Sequence, residues 1–160
     1  MQRVAAITAE GEAECGEAAG DSLVLDFDHR NRRRIALTTL AGARVLLDQP
    51  HAVHLRGGDV LVLEDGSRVM VQAADEALVE ITAGDAAGLV RLAWHLGNRH
   101  LPTQLLPGPS GGAIRIRADH VIEAMVVGLG GRCNPINAPF DPEGGAYAGG
   151  GHGHHGHDHG

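Results

Sequence analysis

Leu78-Val-Glu-Ile-Thr82 followed by Asp85-Ala-Ala-Gly-Leu-Val-Arg-Leu-Ala-Trp-His-Leu-Gly97 changes its period partway along. The first piece reads as a strand. Asp85 then caps a helix running to Leu96, because Ala86, Leu89, Val90, Ala93 and Leu96 recur at helical spacing, and Gly97 reads as a left-handed stop. Beyond it, strands are expected near Thr103 to Leu106 and Ile114 to Arg117, joined by Pro107-Gly-Pro-Ser-Gly-Gly112. Asp119 caps a second helix from His120 to about Leu129, Gly130-Gly131 ends it, and Arg132 to Ala138 forms a last strand. Strand, helix, strand, strand, helix, strand is the order of a ferredoxin-like βαββαβ domain.

Upstream, the runs are short and β-like. Ser22–Phe27, Arg34–Leu40, Ala43–Leu47, Asp59–Leu63 and Arg68–Gln72 are separated by turn residues, with Asp65-Gly66 as a hairpin signal. They predict a small, mostly antiparallel β domain, with His51 and His54 in a loop beside Pro50. Downstream, from Ala146, glycine dominates and apolar side chains almost vanish, which predicts a disordered His-rich tail. The expected class is α+β: residues 1–75 a β domain, 76–147 the ferredoxin-like domain and 148–160 the tail.

Composition removes several kinds of chemistry. In 160 residues every one of the 13 basic side chains under Lys+Arg is arginine, so lysine-dependent phosphate loops, Schiff bases and pyridoxal phosphate enzymes have no residue to perform them. A formal net charge of -7 argues against nucleic acid as a partner, and Arg30, Arg32, Arg33 and Arg34 read as a solvated strand edge or turn. Cys15 and Cys133 form no CxxC pair, so neither a disulfide framework nor a structural zinc site is expected. No leader-like or membrane-spanning apolar run is seen, which predicts a cytoplasmic protein. No Ser/His/Asp set, HExxH helix or carboxylate pair stands out, so no catalytic and no cofactor-binding residue is expected.

The histidines carry the functional signal. Of 11, five (His152, His154, His155, His157 and His159) fall in the last nine residues, interleaved with glycine and Asp158. Imidazoles on a glycine backbone suit nickel, zinc or copper, and such a tail collects metal without holding an open catalytic position. His95 and His100 are five residues apart, which on a helix sets them about 140° apart and unable to share an ion. His95, next to Trp94, reads as a packed histidine. His100 lies between the helix stop and Leu101-Pro102, and two copies of it across a dimer axis would make a usable site. His120 is either exposed or a ligand. A hydrolase built on His95, His100 and His120 finds no support in the spacing.

Trp94-His-Leu-Gly-Asn-Arg-His100 with Pro102 and Gln104, then Asp119-His-Val-Ile-Glu123, then Pro139-Phe-Asp-Pro-Glu-Gly-Gly-Ala-Tyr147 and a histidine-rich end resemble the UreE family of urease accessory nickel metallochaperones. Leu25–Arg34 and Gly58–Leu63 are similar to that family's N-terminal domain, and Gln72–Glu76 to its domain junction. The resemblance implies an N-terminal β domain of peptide- or partner-binding type, a metal-binding domain that forms homodimers, and His100 as the central nickel ligand facing its symmetry mate. His120 would be an additional ligand, although Ala118 stands where some members carry a further histidine. The tail would add nickel or zinc ligands. Nickel would pass to the urease accessory GTPase and the urease apoprotein complex, and this chain, lacking lysine, is not that GTPase. Whether metal drives dimers into higher oligomers stays open. A general nickel, zinc or copper buffer without a urease partner fits the composition equally.

Overall fold

The computed structural model describes residues 1–12, 19–109 and 111–145. Among them are ten strands and three helices in two layered units. The first unit holds β1 (Gln2–Thr8), β2 (Asp21–Leu25), α1 (Phe27–Arg30), β3 (Asn31–Thr38), β4 (Arg44–His54), β5 (Val60–Leu63) and β6 (Arg68–Ala73). Its six strands follow the order β2-β6-β5-β1-β4-β3. The Asp65-Gly66 hairpin forms as expected between β5 and β6, with Gly66 at φ 83, a left-handed value that glycine adopts without steric cost. Leu23, Val45, Leu47, Leu61 and Val71 are fully buried between the strands and make this unit's core.

Three expectations for this unit need correction. β1 was not expected. Two ladders, β1 with β4 and β2 with β6, are parallel, so the sheet is mixed rather than mostly antiparallel. His51 and His54 belong to β4, not to a loop. Pro50 is accommodated because the β3–β4 ladder jumps from Arg34–Asp48 to Arg32–Val53, so Gln49 to Ala52 bulge out opposite Arg33 and the missing proline N–H breaks no bond.

The second unit holds β7 (Asp75–Thr82), α2 (Ala86–Gly97), β8 (Gln104–Leu106), β9 (Ala113–Arg117), α3 (His120–Gly128) and β10 (Arg132–Pro139). Its four strands run in the order β10-β7-β9-β8, each antiparallel to its neighbour. Val79, Ile81, Ile114 and Ile116 alternate onto one face, and Leu92, Leu96 and Val126 of the two helices seal it. Helix and strand order match the sequence reading. Gly97 departs from it: Gly97 is the last helical residue, and the left-handed position falls at His100, φ 55.

The two units meet through a buried arginine. Arg30 is fully enclosed and donates from Nε to the Leu25 carbonyl, from Nη1 to the Leu55 carbonyl and from Nη2 to the Phe140 carbonyl. It is therefore not part of the solvated arginine run. Burial pushes its guanidinium below its ordinary value, while Asp141, Glu76, Asp26 and Asp59 pull the other way. Phe27 lies edge-on to Phe140 at 5.6 Å and tilted against the His54 ring at 5.5 Å, and the Arg117 guanidinium rests over Phe27 and bonds Asp28 at 3.0 Å. Among the described residues no helix is long and apolar enough to cross a membrane.

Candidate metal centre

The site begins with the end of α2. Asp85 accepts the Gly88 amide at 2.7 Å and starts the helix, whose Leu89, Leu92, Ala93 and Leu96 turn toward the sheet. The opposite face is exposed and carries Val90 at 70% and Trp94 at 65% beside Arg91. His95 is half-buried, its ring edge-on to Trp94 at 5.0 Å. After Gly97 the chain tightens: Arg99 donates to the Leu96 carbonyl at 3.0 Å and His100 to the Gly97 carbonyl at 3.1 Å. These three-residue bonds end the helix in a compact turn.

His100 stands at the tip of that turn, exposed and left-handed. A non-glycine residue there costs about 1–2 kcal/mol relative to helical backbone. Buried Leu96 before it and Leu101, packed on the same core, after it hold the turn in place. The imidazole is thus presented to solvent on a short segment anchored at both ends.

His120 opens α3 and is also exposed. Its neighbour Asp119 accepts the Val121 and Ile122 amides at 2.9 and 3.1 Å on one oxygen, while the Asp119 amide donates to Glu123 at 3.2 Å. That reciprocal cap occupies Asp119 structurally. A cleft of about 360 Å³ separates the two histidine segments, with Arg99 and Leu101 on one wall and Ala118, Asp119 and Ile122 on the other. Among the described residues no three His, Cys, Asp or Glu side chains converge to hold a metal. His152, His154, His155, His157 and His159 lie outside the described residues.

Sequence reasoning missed the strap that follows β10. Phe140 is buried under Arg30, the Asp141 amide donates to Gln104 Oε1 at 3.2 Å, and the Glu143 amide donates to the Thr103 carbonyl at 2.8 Å. Asp141 also accepts from His54 Nε2 at 2.9 Å, so one acidic residue touches both units. Nothing local in the sequence foretells the Gln104 contact with Asp141 across 37 residues.

Comparison with known proteins places both halves together. Residues 2–74 match the family model described as UreE urease accessory protein, N-terminal domain, and residues 76–160 match its C-terminal domain. A protein named urease accessory protein UreE from Bradyrhizobium sp. (strain ORS 278) is 61% identical over 144 residues, covering 90% of this chain and 67% of the relative. Proteins of the same name are 50% identical in Beijerinckia indica, covering 88% of this chain and 79% of the relative, and 43% identical in Chelativorans sp., covering 99% and 94%. With both family domains matched in order along its length, the chain belongs to the UreE urease accessory protein family.

Proposed function

We propose that this chain carries Ni(II) as cargo for assembly of the urease centre, holding the ion at His100 and yielding it by ligand exchange to the accessory GTPase that serves the urease apoprotein. The observation that carries the reading is His100 itself, an exposed imidazole on a rigid left-handed turn in a UreE-family chain. Imidazole suits nickel, and zinc and copper compete for the same donor.

One chain's described residues offer no three converging donors, so the shell is completed from elsewhere. Two sources are at hand. The exposed face of α2, with apolar Val90 and Trp94, suits a homodimer that brings two His100 side chains together. The second is the tail, with His152, His154, His155, His157 and His159. His120, whose neighbour Asp119 lines the same cleft as Arg99 and Leu101, is the additional weaker ligand. The strand order β10-β7-β9-β8 with both helices on one face supports reading residues 76–147 as a ferredoxin-like domain, next to a partner-binding β domain in 1–75. Delivery between soluble partners suits a cytoplasmic chain without catalytic residues.

Calorimetric nickel titration near pH 7.5, with mass measurement, tests the reading. His100→Ala should abolish the tight site shared by a dimer, whereas truncation after Tyr147 should lower the number of ions bound and keep that site. Unchanged tight binding in His100→Ala would overturn it.

A further inference from the structure

The first unit carries a concentration of arginine that metal handling does not use. Arg3 on β1, Arg32, Arg33 and Arg34 on β3 and Arg44 on β4 are all exposed, in a chain whose net charge is -7. Asp48 is the one carboxylate paired to this group among the described residues, at 3.6 Å from Arg3 and 4.0 Å from Arg34. Arg32, Arg33 and Arg44 have no ion-pair partner among the described residues.

The arginines mark a strand with free backbone. β3 is an edge of the six-stranded sheet. Its far end is closed, since the Leu40 amide donates to the Ser22 carbonyl at 2.8 Å, which leaves the Asn31–Ala36 stretch open among the described residues. Opposite Arg33 the β4 bulge interrupts the ladder, so this part of the edge has lost pairing on its inner side too. An open edge offers main-chain donors and acceptors to an incoming strand, and alternate side chains select its chemistry.

Resting on the partner-binding reading of residues 1–75, we infer that the Asn31–Ala36 edge binds an extended, acidic segment of a partner protein by strand addition, with Arg32 and Arg34 on one face pairing its carboxylates and Arg33 on the other face, Arg3 and Arg44 extending the positive field. A nucleic acid fits less well. Among the described residues the patch has no aromatic platform, because Phe27 and Phe140 are engaged with each other at the junction and Trp94 is on α2. Edge-strand charge also guards sheets against pairing with their own copies, and the test separates the two roles.

The probe is a fluorescein-labelled seven-residue peptide alternating Glu and Val, titrated by anisotropy with the full chain at about 50 and 150 mM salt. Controls are the matched Lys/Val peptide and an oligothymidylate. The Glu peptide should bind at least about tenfold more tightly than either control, and weaken with salt. Arg32→Glu/Arg34→Glu should cut that affinity at least about tenfold while nickel binding and melting temperature stay unchanged, so a failure here is separable from failure of the nickel reading. Arg32→Gln/Arg34→Gln should fall between, and Arg91→Glu/Arg132→Glu, exposed arginines elsewhere, should bind normally. No binding of the Glu peptide, equal binding by the reversed variant, or preference for the oligonucleotide overturns the inference. So does a reversed variant that self-associates yet binds the peptide as before, since the arginines would then only protect the edge.

Discussion

The Glu143 amide donates to the Thr103 carbonyl at 2.8 Å, tying the last described segment of the chain to the turn that presents His100. Thr103 is three residues from His100, at most about 11 Å of chain, and His152 is nine residues beyond Glu143, at most about 32 Å. The first tail histidine therefore has the reach to meet an ion at His100. Tethering raises effective concentration without any new contact. Gln104→Ala removes the acceptor for the Asp141 amide and loosens the strap. Nickel affinity at the tight site should fall about 3- to 10-fold in the full chain and not at all in a chain ending at Tyr147. Equal losses in both backgrounds would mean that the strap shapes the turn rather than delivering the tail.

His100 at φ 55 predicts a split between binding and stability. Glycine adopts this conformation freely and alanine does not. His100→Gly and His100→Ala should lose the tight nickel site alike, but the alanine variant should be less stable by about 1 kcal/mol in urea denaturation. Equal stability of the two would show that the residue is not held left-handed in solution.

Where the sequence spoke clearly, it did so through periodicity and capping. Asp85 and Asp119 each sit at a helix start with an amide bonded to the side chain, and the second unit's six elements appear in the order read. β1 escaped because its core residues Val4 and Ile7 are three apart. The register shift between Val4 and Ala6 resets the alternation, so a strand carries a spacing that does not look like one. The common helix-stop pattern puts the left-handed residue at Gly97, yet two further three-residue turns carry the chain to His100 before it reverses. Arg30 looks like Arg32, Arg33 and Arg34 in the sequence because adjacent charges are alike; its burial and its bonds to the Leu25, Leu55 and Phe140 carbonyls, the last 110 residues away, set it apart.

Arg30 satisfies three carbonyls from three segments in a place water does not reach. Removing it leaves those acceptors buried and opens a cavity at the junction. Arg30→Ala should cost about 2–4 kcal/mol in urea denaturation. Arg30→Lys should recover less than half of that, because one ammonium does not span three directions that a planar guanidinium meets at once. A loss below about 0.5 kcal/mol for Arg30→Ala would contradict the junction described.

Asp26 predicts how stability responds to acid. Burial works to raise its carboxyl, but the His29 amide at 2.9 Å, the His29 ring at 2.6 Å and nearby Arg30 outweigh it and hold Asp26 below its ordinary value of 3.8. A carboxyl depressed on folding binds its proton more tightly in the unfolded chain. Its contribution is therefore complete above the unfolded value and is lost as pH falls through the folded one. Asp26→Asn still caps α1, so the comparison isolates the charge. The native chain should be the more stable at pH 6, by less than about 1 kcal/mol because the site is partly exposed. That gap should close progressively as pH falls below about 4 in thermal melts of both proteins. A difference that does not change as the carboxylate takes up its proton would show that the Asp26 charge contributes nothing to stability.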